Sequence, residues 1–300
     1  MSKWALSFII YPSDLLITKV LFHTLDSQYY PIVKNLANFD FSPTYNENIT
    51  SDKLLTFPYG PFILHSIFYK IFGNSSFILI EYVFIFLFFI TIYKIFKHIG
   101  FSFNSSVFCS LILLFLPTLV NLFSNFDIPY IFHIRTTFET IYSTRFPRPQ
   151  VTGLYYLVFV YLALKFSENI NENTNKKYAV FFAIILGLIL NSFFYFFIYC
   201  CLALLILFLF NFKKNFFLFI ISKINIFLFF TILVLVASTP FFLQNYLGEP
   251  DHSLRIGLVK IDLEDRIYLN KFFFQSILRF EPLFIFCISL LLTIFIKNYF

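Results

Sequence analysis

The sequence predicts an all-α, polytopic transmembrane helix bundle of about eight spans, with interfacial helices in its first outer loop. Three observations lead there. The chain is 59% hydrophobic with a mean hydropathy of +0.80, which is too apolar for an ordinary soluble domain. Runs such as Phe77–Tyr93, Val107–Val120, Phe193–Phe210 and Leu283–Ile296 carry almost no charge, and each approaches the roughly 20 residues that a bilayer requires. Lysines gather in the short segments between alternate runs. Fifty Phe and nineteen Tyr accompany many Ile, Asn and Lys. That is the mark of AT-rich coding, so the Phe excess carries no functional reading.

Spans are expected near 4–22, 75–94, 102–123, 149–167, 178–191, 193–211, 224–244 and 282–298, in a single domain covering 1–300. With the N-terminus in the cytoplasm, the inner segments hold Lys3, Lys94, Lys97, Lys165, Lys176, Lys177, Lys213, Lys214, Lys223 and Lys297. Only Glu168 and Glu172 oppose them. The outer segments hold 11 basic and 12 acidic residues. Lys-rich inner loops satisfy the positive-inside rule. The predicted location is therefore integral to a membrane, the inner (plasma) membrane of a bacterium. Met1-Ser2-Lys3 followed by an apolar stretch, with no small-residue cleavage site, reads as a signal anchor. Tyr11-Pro12-Ser13-Asp14 interrupts the first span, because Pro and Asp are poor residues there. Asn191-Ser192 must turn the chain very tightly between 178–191 and 193–211; the alternative is one long kinked helix.

Polar mass collects in three outer loops, near 23–74, 124–148 and 244–281. In the first, Tyr29, Ile32, Val33 and Leu36 fall at helical spacing and predict an amphipathic helix lying on the membrane. A second short helix follows Phe57-Pro58-Tyr59-Gly60-Pro61. Pro61 suits its first turn and Gly73 its C-cap. The four cysteines, Cys109, Cys200, Cys201 and Cys287, all lie inside apolar runs and read as small buried residues rather than a disulfide framework. No internal repeat, Gly-rich phosphate loop, Cys/His metal spacing or nucleophile elbow is present.

All six arginines lie in two polar stretches, Arg135/Arg145/Arg148 and Arg255/Arg266/Arg279, whereas only Lys260 and Lys271 of the lysines fall within them. Guanidinium grips phosphate with a planar fork and ammonium only as a point charge. The grouping therefore points to a phosphorylated ligand, with rim salt bridges and headgroup binding as the plainer readings. Arg145 and Arg148, beside Pro147 and Pro149, are the favoured phosphate-binding pair, and Arg135 is a further candidate. Arg255 and Arg266 sit in a mixed-charge stretch that reads first as surface ion pairs. Glu81, inside the second span, is costly there and implies a cavity or a partner.

The order of features in the first loop carries a resemblance. A span is followed by Asp26-Ser27-Gln28-Tyr29-Tyr30, an interfacial helix, Phe57-Pro58-Tyr59-Gly60-Pro61, a second interfacial helix ending in Phe72-Gly73, and a span closed by cytoplasmic Lys. This resembles the N-terminal module of GT-C-type membrane glycosyltransferases, the class of protein mannosyltransferases and aminoarabinose transferases. The resemblance covers roughly residues 4–98 and extends further only as a helix count. It implies transfer of a sugar from a polyprenyl-phosphate donor on the non-cytoplasmic face, with Asp26 in the position of the catalytic acid. Ser27 stands where the family often has a second acid. Asp26 would serve as general base on the acceptor hydroxyl, against a plainer role as helix N-cap. Asp14 and Asp40 are fallback acids. Tyr29, Tyr30 and Glu81 join Arg135, Arg145 and Arg148 as candidate substrate-binding residues. No soluble cofactor and no nucleic acid is implied. His65, His133 and His252 lack ligand spacing, so no metal is assigned. Rival classes are a transporter or flippase of lipid-linked saccharides, a polysaccharide polymerase and a structural membrane subunit.

Overall fold

The computed structural model describes residues 29–42, 53–55, 57–123, 148–168, 175–212, 224–247 and 267, with side chains left out at 116–123, 148–149, 175–176 and 210–212. Among these residues the fold is helical, without strands. The helices are α1 (Tyr30–Ala37), α2 (Tyr59–Phe72), α3 (Ser76–His98), α4 (Phe103–Phe123), α5 (Arg148–Glu168), α6 (Asn175–Leu190), α7 (Phe194–Phe212), α8 (Ile224–Ala237) and α9 (Thr239–Leu247). The expected first and last spans lie outside the described residues.

The helix boundaries follow local chemistry. Pro58 caps α2 with φ −55° and ψ 133°, the conformation its ring favours, and Pro61 sits in the first turn where its missing N–H costs nothing. Gly73 ends α2 with a left-handed φ of 56°, open to glycine without a side-chain penalty. A 3₁₀ turn, Gly73–Ser75, then leads into α3.

On α3 the buried residues Phe77, Ile80, Glu81, Phe84, Phe88 and Ile92 recur at helical spacing, while Leu79, Tyr82 and Phe86 on other faces are exposed. A helix that is apolar all round but only half buried suits a lipid environment. The main core joins this stripe to α5 (Val151, Leu154, Phe159, Phe166), α6 (Phe182, Leu186, Ile189) and α7 (Cys200, Leu204).

Alternation of direction is visible in the contacts. Phe166, near the end of α5, touches Tyr178 and Phe182 near the start of α6, and also Phe208 near the end of α7. Helices α6 and α7 therefore form an antiparallel hairpin about Asn191-Ser192, not one long kinked helix. Helix α8 returns alongside α6, where its end places Ala237 against Gly187, and its Phe227 meets Phe208 of α7 at 5.7 Å between ring centroids.

Two helical stretches, Tyr59–His98 and Gln150–Ser167, are long and apolar enough to cross a membrane. The pair Ile224–Ala237 and Thr239–Leu247 makes a third if counted as one span, and shorter apolar helices lie at Phe103–Phe115, Lys177–Leu190 and Phe194–Leu209. These helices mark a membrane protein.

The residues of the expected span 224–244 form two helices, α8 and α9. The chain bends by 46° between α8 and α9. Pro240 has no N–H for the carbonyl of Val236, and its ring crowds that turn.

Where α6 and α8 meet there is no room for a side chain. A Cβ on Gly187 would lie 2.9 Å from the Ala237 carbonyl carbon, 3.0 Å from its oxygen and closer still to its Cβ. Small residues at such crossings let backbones approach, which drives association in lipid. Gly187→Val is expected to separate the two helices and cost about 2 kcal/mol, read as a fall in the thermal midpoint of the detergent-solubilised protein.

Candidate functional site

One end of the bundle gathers most of the buried polar side chains. There the loop before α2, the head of α5, the α6–α7 turn and α9 meet at a small hub. Gly60 N–H donates to the Asn191 carbonyl at 2.9 Å, and Tyr155 Oη donates to the Gly60 carbonyl at 3.3 Å. Asn191 Nδ2 donates to both Gly187 and Ala237 carbonyls, each at 2.8 Å. Gln244, buried on α9, donates through Nε2 to the Leu55 and Phe57 carbonyls at 2.9 Å each. Its Oε1 accepts from Tyr59 N–H at 3.4 Å. The Phe57–Pro61 segment is thus fastened to three other parts of the chain.

Helix α1 packs on this platform through the tyrosines that follow Asp26. Tyr29 sets its ring 5.2 Å from Phe57 and 6.0 Å from Phe62. Tyr30 stacks on Phe77, at the head of α3, at 4.2 Å. With Ile32 and Val33 they form a second buried cluster. Both rings are engaged in packing, so in the described structure they position α1 rather than present an open contact surface.

Glu81 is 7% exposed and lies about one and a half turns into α3. It belongs to the same buried stripe as Phe84, one turn on. The ring of His65, from α2, packs 5.7 Å from that of Phe84 and is 1% exposed. His65 therefore lies at the α2–α3 interface, and Glu81 is buried on α3 one turn before Phe84, the ring partner of His65. Buried Ser66 and Ser76 lie on the same two helices, and buried Gln150 and Thr152 lie at the head of α5, which packs against α2 and α3. Ionisable and polar groups buried in an apolar bundle are costly unless partnered or functional.

Asp26, Arg135 and Arg145 lie outside the described residues, as do Asp14, His133, His252, Arg255 and Arg266. Arg148 is the first residue of α5, the helix whose head reaches the hub. Asp40 is exposed just after α1, and its Oδ1 accepts from Ser42 N–H at 2.9 Å, the geometry of a local turn. Among the described residues no group of three His, Cys, Asp or Glu side chains is placed to hold a metal.

Sequence reasoning passed over Gln244 and Gly60. Gln244 resembles any amide at the end of an apolar run. Gly60 sits between two prolines and reads as turn chemistry, although its importance is space. No family model matches the chain, and no curated protein or solved structure does either.

Proposed function

We propose that this protein is a polytopic membrane glycosyltransferase of about eight spans, acting on a polyprenyl-phosphate-linked sugar at the non-cytoplasmic face of a bacterial plasma membrane. Its N-terminus is cytoplasmic in this reading. The observation that carries the proposal is the fastening of the first loop: Tyr29 and Tyr30 are locked onto Phe57, Phe62 and Phe77. Asp26 is three residues before Tyr29 in the sequence, and in this reading it serves the end of the bundle where Glu81, His65 and the head of α5 lie. A catalytic group must be held within about half an ångström of its working position by a rigid support. Helix α1 on its aromatic platform supplies one.

In this reading Asp26 takes the proton from the acceptor hydroxyl as that oxygen attacks the anomeric carbon. The bond to the carrier phosphate breaks, and the released lipid phosphate carries the growing negative charge. Arg145 and Arg148, with Arg135 as a further contributor, are assigned to that charge, since fixed guanidinium forks stabilise a developing anion. Glu81 is assigned to the sugar or to orienting an arginine.

The test is sugar transfer from a labelled polyprenyl-phosphate sugar pool in membranes. Asp26→Asn at matched expression is expected to lower transfer at least 100-fold, the scale of general-base catalysis. Equal transfer by both proteins removes Asp26 as the base.

A second reading has one observation in its favour. The broken helix at α8–α9 is a device of transporters, so a carrier of lipid-linked saccharides is the alternative. Movement of labelled lipid-linked sugar across proteoliposomes, without transfer to an acceptor, selects it.

A further inference from the structure

A groove of about 650 Å³ runs along the outer side of α2, between the end of α1 and α9. Its walls are apolar: Ile63, Ile67 and Ile71 along α2, Leu36 from α1, and Leu243 and Leu247 from α9. The three isoleucines are 36%, 51% and 67% exposed, so the groove opens along its length. Two polar residues of α2 also line it, Ser66 and Lys70, one turn apart on the same face. Ser66 is buried, and its Oγ has no hydrogen-bond partner among the described residues. Helical Thr91, Ser110 and Thr231 behave differently, each donating to the carbonyl four residues back. Lys70 is exposed, lies 5.9 Å from the centroid of the Phe39 ring, and meets no carboxylate among the described residues.

An apolar trough with one uncompensated cation at its rim matches an amphiphile with a long hydrocarbon body and an anionic head. We infer that this groove holds an anionic glycerophospholipid of the surrounding bilayer, one acyl chain lying along Ile63, Ile67 and Ile71 with its phosphate at Lys70. The groove is separate from the candidate catalytic site. On α2 the buried residues Phe62 and His65 lie about 110° and about 170° around the helix from the centre of the Ile63/Ile67/Lys70 face. The lipid therefore contacts the outside of the α1–α2 module, and its binding does not depend on the proposed transferase activity. Its effect is to brace α1 and α9 across their open side.

The test uses the full chain, delipidated in detergent and incubated with phosphatidylglycerol, phosphatidylcholine or a polyprenyl phosphate, with bound lipid counted by native mass spectrometry. Wild type is expected to retain phosphatidylglycerol about fivefold more tightly than phosphatidylcholine, the scale of one lysine near an anionic headgroup. Lys70→Gln is expected to erase that preference while leaving the thermal midpoint without lipid unchanged. Ser66→Leu, which fills the floor of the groove, is expected to weaken both phospholipids. Asp26→Asn is expected to bind as wild type does, whatever its transferase activity. Equal retention of both phospholipids by wild type overturns the inference, as does an undiminished preference in Lys70→Gln. A polyprenyl phosphate that displaces phosphatidylglycerol in a Lys70-dependent way also overturns it, because the groove would then belong to the donor. If Ser66→Leu does not fold, the Lys70→Gln comparison decides alone.

Discussion

Gly60→Ala is expected to cost about 3 kcal/mol, enough to leave much of the protein misassembled. A Cβ at this position would stand 2.8 Å from the Asn191 carbonyl oxygen and 2.9 Å from its carbon, and would also collide with Ser192 Oγ. The hydroxyl can rotate, but the carbonyl belongs to a turn whose own backbone bonds hold it in place: Asn191 N–H to Gly187 and Ser192 N–H to Ile189. The methyl group must therefore push α2 away from the turn. That separation also breaks the Gly60 N–H bond to Asn191 and the Tyr155 bond to the Gly60 carbonyl. Gly73→Ala is the informative contrast. Nothing lies within 4 Å of a Cβ there, and the penalty comes from the backbone alone, whose φ of 56° and ψ of −142° lie outside the left-handed helical well and cost a side chain about 2 kcal/mol. Thermal unfolding of both variants in one detergent checks the order. Adding Ser192→Gly to Gly60→Ala should recover only a minor part, because the backbone clash remains.

Gln244 gives the second large effect. Replacement by Leu keeps much of the volume but removes the amide donor from the Leu55 and Phe57 carbonyls and the amide acceptor from the Tyr59 N–H. Buried groups stripped of partners cost about 1–3 kcal/mol each before relaxation, so a loss of about 3 kcal/mol is expected. Gln244→Glu separates the donor role from the acceptor role. The carboxylate still accepts from Tyr59 N–H but faces two carbonyl oxygens that need donors. Only its protonated form can serve one of them. The folded state therefore binds that proton more tightly than the unfolded chain does, and stability falls as pH rises from acid to neutral. Gln244→Leu should show no such slope beyond that of wild type. Equal pH profiles for the two variants would mean that the amide donor bonds contribute little.

Residues with short-range consequences were the legible ones. Pro61 and Gly73 set the ends of α2 because their backbone preferences act locally, and Asn191-Ser192 marked the turn between α6 and α7. The helical spacing of Ile32, Val33 and Leu36 announced α1. Pro240 carried an equally local signal, but it lies inside a run whose hydropathy dominates a reading by composition, so the bend at α8–α9 went unread. Gln244 could not be read at all, since its partners lie 185 to 189 residues earlier. Tyr29 and Tyr30 show the same limit from the other side. A Tyr-Tyr pair after an acid suggests ligand contact, yet Phe57, Phe62 and Phe77 claim both rings. Of the candidate site, only Glu81 was both foreseen as an intramembrane acid and found buried on a helix interface; Asp26, Arg135 and Arg145 fall outside the described residues.

The span of the Gln244 bonds has a consequence for biosynthesis. A chain made from its N-terminus folds its early segments first where it can, but the segment before α2 lacks its clamp until residue 244 has been made. Closing so large a loop is entropically costly and slow. The Phe57–Pro61 segment therefore gains its bonds to Tyr155 and Asn191 first and its Gln244 clamp only after α9 has been made. A ribosome-stalled chain ending before α8 should expose the α1–α2 segment to protease that the full-length protein excludes.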